Sequence, residues 1–164
     1  MRKHFDVTSV HPACAATVDR VGCNHSRVPL TIRSVPNILI VDDDAFVRAY
    51  LRDALAETGY GLLEAENGEE AVELAASERP EVVLLDLLMP KQSGLDALSK
   101  IHRVSPDSRI IVISSLDSES LVEQAMAAGA QGFVGKPFHP IEVVGAVRKV
   151  LIDTRGTDGQ LLDL

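Results

Sequence analysis

The sequence predicts an α/β fold, a doubly wound parallel sheet with helices on both faces. Three observations carry that reading. Short aliphatic runs recur after Asn37 with no polar alternation inside them, and strands of that kind are covered on both faces, as parallel strands are. Amphipathic stretches with helical spacing separate the runs. Right-handed crossovers then distribute those helices to both sides of the sheet.

The elements follow in order. "NILIV" is the first strand, and "AFVRAYLRDALAETG" is a helix with Val47, Leu51, Ala54 and Leu55 on one face and Gly59 as its stop. "YGLLEAEN" is a weaker strand. "GEEAVELAASERP" is a helix carrying Ala71, Val72, Leu74 and Ala75, closed by Pro80. "EVVLLD" is a third strand that ends in an acid, and the loop "LLMPKQSG" leads to the helix "LDALSKIHRVS". "SRIIVISS" is the fourth strand and "DSESLVEQAMAAGA" a helix with a glycine stop. "QGFVGKPF" is a short fifth strand with its turn, and "HPIEVVGAVRKVLIDT" is the last helix, with Pro140 in its first turn.

Residues 1–36 precede this pattern. They show no sustained period, are punctuated by Pro12, Pro29 and Pro36, and are expected to be a disordered extension. They hold five Lys/Arg against two Asp/Glu, whereas the rest holds eleven against twenty-two. An acidic body argues against non-specific nucleic-acid binding and against adhesion to anionic membranes. Cys14 and Cys23, with His11 and His25 nearby, match no zinc spacing and read as free thiols. No apolar run approaches a membrane span, and Arg2 and Lys3 lead into no apolar leader segment, so a cytoplasmic location is expected.

The polar residues at the strand ends are the unusual feature. The first strand runs into Asp42-Asp43-Asp44, the third ends in Asp86, the fourth in Ser114-Ser115, and the fifth in Lys136-Pro137. In a doubly wound sheet these carboxyl ends form one edge, where ligands sit. Clustered carboxylates require a cation, because two like charges about 4 Å apart repel by roughly 4 kcal/mol at an effective dielectric near 20. An all-oxygen donor set favours magnesium over zinc or copper. Beside such an ion a carboxylate can act as nucleophile toward a phosphoryl group, with a lysine and a hydroxyl stabilising the oxygens. Asp86, Lys136 and Ser114 offer those three groups. Asp44 reads as the cap of the following helix.

The motifs "ILIVDDDAFVR", "VVLLDLLMPKQSG", "IIVISS" and "AGAQGFVGKPF" together resemble the receiver domain of a bacterial two-component response regulator. The resemblance spans residues 37–153, leaving 154–164 as a short tail. It implies a flavodoxin-like sheet in the order 2-1-3-4-5. It implies Mg2+ at Asp42, Asp43, Asp86 and the backbone carbonyl of Leu88, with Asp86 as phospho-acceptor and Lys136 as site lysine on a cis bond to Pro137. Ser114 and Phe133 are the implied switch pair. The implied partners are a sensor histidine kinase or phosphotransfer protein and a downstream target docking on the last helices and fifth strand, roughly residues 119–151. No output domain is expected after residue 153, so the chain reads as a stand-alone, single-domain regulator acting by protein contact or onward phosphorelay. Leu88 and Leu116, two beyond the acceptor and the site hydroxyl, are apolar, which implies slow autodephosphorylation.

Three rivals remain at this level. A haloacid-dehalogenase-type phosphatase is mimicked by Asp42-x-Asp44, but Phe46 stands where that family wants Thr or Val, and no second acidic motif follows Lys136. A flavodoxin-like cofactor binder would need a phosphate loop where three aspartates stand. A pure interaction module would not need the full set of polar groups.

Overall fold

The computed structural model describes residues 35–90, 93–115 and 118–153. The expectations placed on residues 1–34, on Leu116 and on the tail after Asp153 lie outside them. Ten elements alternate: β1 (Asn37–Val41), α1 (Ala45–Ala56), β2 (Gly61–Ala65), α2 (Gly68–Glu78), β3 (Val82–Asp86), α3 (Gly94–Val104), β4 (Arg109–Ser114), α4 (Glu119–Ala127), β5 (Gly132–Gly135) and α5 (Pro140–Asp153). The five strands form one parallel sheet in the order β2-β1-β3-β4-β5, the order the sequence resemblance implied.

Side chains alternate across a strand, so each strand feeds two cores. Leu39, Val41, Val83, Leu85, Ile110 and Val112 meet Ala71, Ala75, Leu98, Ile101 and Ala125, which places α2, α3 and α4 on one face. Ile38, Ile40, Val82, Leu84, Ile111, Ile113 and Val134 meet Leu51, Leu55, Val143, Val147 and Val150, which places α1 and α5 on the other. The central strand β3 is buried along its whole length. That is the reason its sequence shows no polar alternation.

Local chemistry sets the helix ends. Phe46 N donates to Asp44 Oδ1 at 2.8 Å, so Asp44 caps α1 as its position suggested. Asn67 caps α2 by accepting from Glu70 N at 2.9 Å, and Glu70 returns its carboxylate to Glu66 N at 2.9 Å. Gly129 closes α4 at φ +110°, a conformation open to glycine and strained for other residues. At the amino edge of the sheet the Ser105 and Ser108 hydroxyls bond each other at 2.7 Å, and Ser108 donates to Pro80 O, so both buried side chains are satisfied.

Candidate functional site

Parity along the strands decides which polar side chains can meet. Asp42 continues the Ile38–Ile40 series, Asp86 the Val82–Leu84 series, and Lys136 follows Val134 by two. All three series belong to the face that α1 and α5 cover. Asp86 is the last residue of β3 and Asp42 and Lys136 stand just past the carboxyl ends of β1 and β5, and their side chains converge.

Lys136 Nζ donates to Asp42 Oδ2 at 2.7 Å and to Asp86 Oδ2 at 2.6 Å. It joins residues that lie 94 and 50 positions away in the chain. The second oxygens are held by loop amides: Asp44 N donates to Asp42 Oδ1 and Leu88 N to Asp86 Oδ1, both at 2.9 Å. Each buried carboxylate is thus fixed at both oxygens. Asp43 is exposed, yet its carboxylate completes a group with Asp42 and Asp86 whose ligand atoms all lie within 4.8 Å of one another.

At full ionisation three carboxylates and one ammonium leave an excess of two negative charges. Burial pushes the Asp42 carboxyl above its ordinary value, and the Lys136 hydrogen bond and the Asp44 amide only partly offset it. Burial also works against the charged form of Lys136. Its hydrogen bonds to Asp42 and Asp86 outweigh that, so the ammonium is held above its ordinary range. The site holds its lysine charged and is still short of positive charge.

The donor set suits a hard divalent cation. Every ligand atom is a carboxylate oxygen, and among the described residues neither histidine nor cysteine enters the cluster. A divalent ion would cancel the excess of two.

Ser114 is fully buried at the end of β4, and its carbonyl accepts from Lys136 N at 2.8 Å. Phe133 is half-buried on β5 and packs against the core on the α2–α4 face. Ser114 shares the strand parity of Val112 on that same face. The Leu88 side chain is exposed while its amide holds Asp86. The Lys136–Pro137 bond is cis. His102 and His139 are exposed and apart from the cluster; His139 N donates to Glu142 Oε2 at the start of α5.

One residue at the site escaped the sequence reading. Arg48 Nη1 donates to the Asp42 carbonyl at 2.8 Å, and its Nε faces Glu64 Oε2 at 3.5 Å. The signal was present in its spacing. Arg48, Leu51 and Leu55 stand at i, i+3 and i+7, so a charge occupies the buried stripe of α1.

A cleft of about 340 Å³ opens beside the centre, lined by Phe46, Val47, Tyr50, Lys136, Pro137 and Phe138. Tyr50 and Phe138 pack there with ring centroids 5.8 Å apart.

Comparison with known proteins agrees with this geometry. The family model for the response regulator receiver domain matches residues 38–148. The chain is 43% identical over 114 residues to the chemotaxis protein CheY of Thermotoga maritima, covering 69% of this chain and 95% of that one. It is 41% identical over 115 residues to the CheY of Bacillus subtilis, covering 70% and 96%. The solved CheX–CheY–BeF3–Mg2+ complex from Borrelia burgdorferi superposes with a TM-score of 0.68 at 34% identity, covering 71% of this chain and 89% of that one. The sheet order, the paired acids at its carboxyl edge and these matches agree: the chain belongs to the response regulator receiver domain family.

Proposed function

We propose that Asp86 accepts a phosphoryl group from a phosphohistidine on a sensor histidine kinase or phosphotransfer protein. The observation that carries this is Lys136 Nζ bridging Asp42 and Asp86, a cation poised against the proposed nucleophile. The phosphorus–nitrogen bond of the donor breaks, the imidazole keeps the electron pair, and a phosphorus–oxygen bond forms to Asp86. Leu88 N orients the carboxylate throughout, while Lys136 exchanges its bond to Asp86 for one to an arriving phosphoryl oxygen. Asp42, Asp43 and Asp86, with the Leu88 carbonyl, are the residues that would hold Mg2+. When bound, the ion supplies charge neutralisation at the phosphoryl oxygens.

The output belongs to the same reading. Ser114 and Phe133 form the switch, Ser114 turning toward the phosphoryl oxygens and Phe133 repacking. The surface of α4, β5 and α5 presents the change to a downstream protein. Residues 37–153 constitute the receiver, located in the cytoplasm; among the described residues no helix is long and apolar enough to cross a membrane. Slow loss of the phosphoryl group follows from the hydrocarbon side chains of Leu88 and Leu116, neither of which can orient an attacking water. Nothing in the fold or the comparisons favours the phosphatase alternative.

The test is incubation with magnesium and beryllofluoride or acetyl phosphate, followed by mass spectrometry and heteronuclear NMR. The expected outcome is a stoichiometric adduct with shifts at Ser114 and Phe133, absent in Asp86→Asn. An adduct that survives Asp86→Asn, or none in the native protein, overturns the assignment.

A further inference from the structure

We propose that Arg48, aimed by Glu64, is a positioning residue for the divalent-cation site, a role that rests on the magnesium reading above. All four polar groups of Asp42 are engaged. Its N donates to Ala65 O at 3.2 Å, its Oδ1 accepts from Asp44 N, its Oδ2 accepts from Lys136, and its carbonyl accepts from Arg48. The last contact is the informative one. The pairing of β1 ends at Val41 against both β2 and β3. Beyond it the carbonyl of the peptide between Asp42 and Asp43 accepts from Arg48 on α1. That peptide is planar, so fixing its carbonyl fixes the direction in which Asp43 leaves. Asp43 itself is exposed, and among the described residues no hydrogen bond holds its carboxylate on Asp42 and Asp86. Arg48 therefore sets the angle between the two acids through the backbone that joins them.

A guanidinium this close to a cation site would repel the ion if it were bare. Glu64 meets that difficulty. Its carboxylate faces Arg48 Nε at 3.5 Å from the neighbouring strand β2, and its other oxygen takes Arg52 Nη1 at 3.0 Å. The Arg48 side chain is only 15% exposed and Glu64 33%, so this pair is less screened than a surface pair. Glu64 orients the guanidinium and, shared with Arg52, offsets part of its charge. The arginine is left to act through its hydrogen bond.

The sign of the effect separates positioning from simple repulsion. Magnesium alone is titrated into the native protein and into Arg48→Ala, Arg48→Lys and Glu64→Gln by calorimetry, with thermal melts in EDTA confirming that each variant is folded. Removing an outer support of a metal site weakens affinity by about tenfold or more, and Arg48→Ala is expected to fall in that range. Arg48→Lys keeps the charge but cannot serve carbonyl and carboxylate together, so it is expected to follow alanine. Glu64→Gln is expected to weaken binding as well, and the Arg48→Ala/Glu64→Gln double variant to be no weaker than Arg48→Ala. Tighter or unchanged binding in Arg48→Ala, or native affinity in Arg48→Lys, overturns the inference while leaving the magnesium reading intact. Failure of the native protein to bind magnesium overturns both. If Arg48→Ala does not fold, Glu64→Gln and Arg48→Lys decide.

Discussion

Lys136 carries more of the site than any other described side chain, because among the described residues it alone forms ion pairs with the two buried carboxylates. Removing it leaves those charges unpaired. Breaking a buried ion pair from one side costs about 3–5 kcal/mol, and Lys136→Met is expected to lose about 3 kcal/mol at pH 7 without divalent ions. The sign with pH is fixed by both partners. Lys136 is raised in the fold, so its contribution is fully present below its ordinary value of 10.5 and is lost as pH rises through the higher folded value. Asp42 is raised too, so the fold favours its protonated form. That contribution is present below 3.8 and disappears as pH rises through the folded value. The penalty of Lys136→Met should therefore shrink between pH 7 and pH 4, as read by urea denaturation; an equal loss at both would exclude the charge account. At this scale the sequence showed the acids plainly, since Asp42 and Asp86 each end an aliphatic run. Asp44 was legible as a cap from its place before "AFVRAYL". Arg48 was legible only as a charge placed in the buried stripe of α1; its partner was not, because only the fold brings the Asp42 carbonyl beneath it.

Among the elements, the inner strands β1, β3 and β4 were legible from hydrophobicity alone, since strands buried on both faces leave an unbroken aliphatic record, whereas the half-buried edge strands β2 and β5 carry Glu64 or glycines and leave a weaker one. The β3–α3 loop was not legible. Gly94 packs so tightly on the Leu87 backbone that an added Cβ would lie 2.7 Å from Leu87 O and nearer still to Leu87 Cα. Only a backbone-to-backbone approach demands glycine there, and no periodicity announces one. Leu87 lies between Asp86 and the Leu88 amide that orients it, so pressure at Gly94 reaches the site. Gly94→Ala is expected to destabilise by about 2 kcal/mol or more, in the range of overpacked cores, and to weaken magnesium binding. Gly145→Ala is the internal control. It lies on the exposed face of α5 with nothing within 4 Å of the added atom, so it should stabilise by about 0.5–1 kcal/mol. Chemical denaturation of both variants checks the pair; similar signs would refute the steric account.

In the molecule as a whole, the site works against the fold that presents it. An excess of two negative charges at one sheet edge stabilises nothing until a cation arrives. Asp43→Asn removes one of them without touching the Lys136 pairs, so it is expected to raise the melting midpoint in EDTA by about 2–4 °C and to reduce the further gain on adding magnesium. Scanning calorimetry with and without magnesium measures both; a lower midpoint in EDTA would contradict it. The sheet order was legible only through the resemblance, because hydrophobic runs say that strands exist and not which are neighbours. The Lys136 bridge has a last consequence, for the growing chain. Asp42 and Asp43 are synthesised first, Asp86 some 44 residues after Asp42, and their counter-charge only at position 136. A polypeptide stopped short of β5 holds every acid of the centre without the lysine that bridges two of them. The centre can therefore close only on a chain that has been translated through Lys136, so truncated products are denied the bridge that holds Asp42 and Asp86 together.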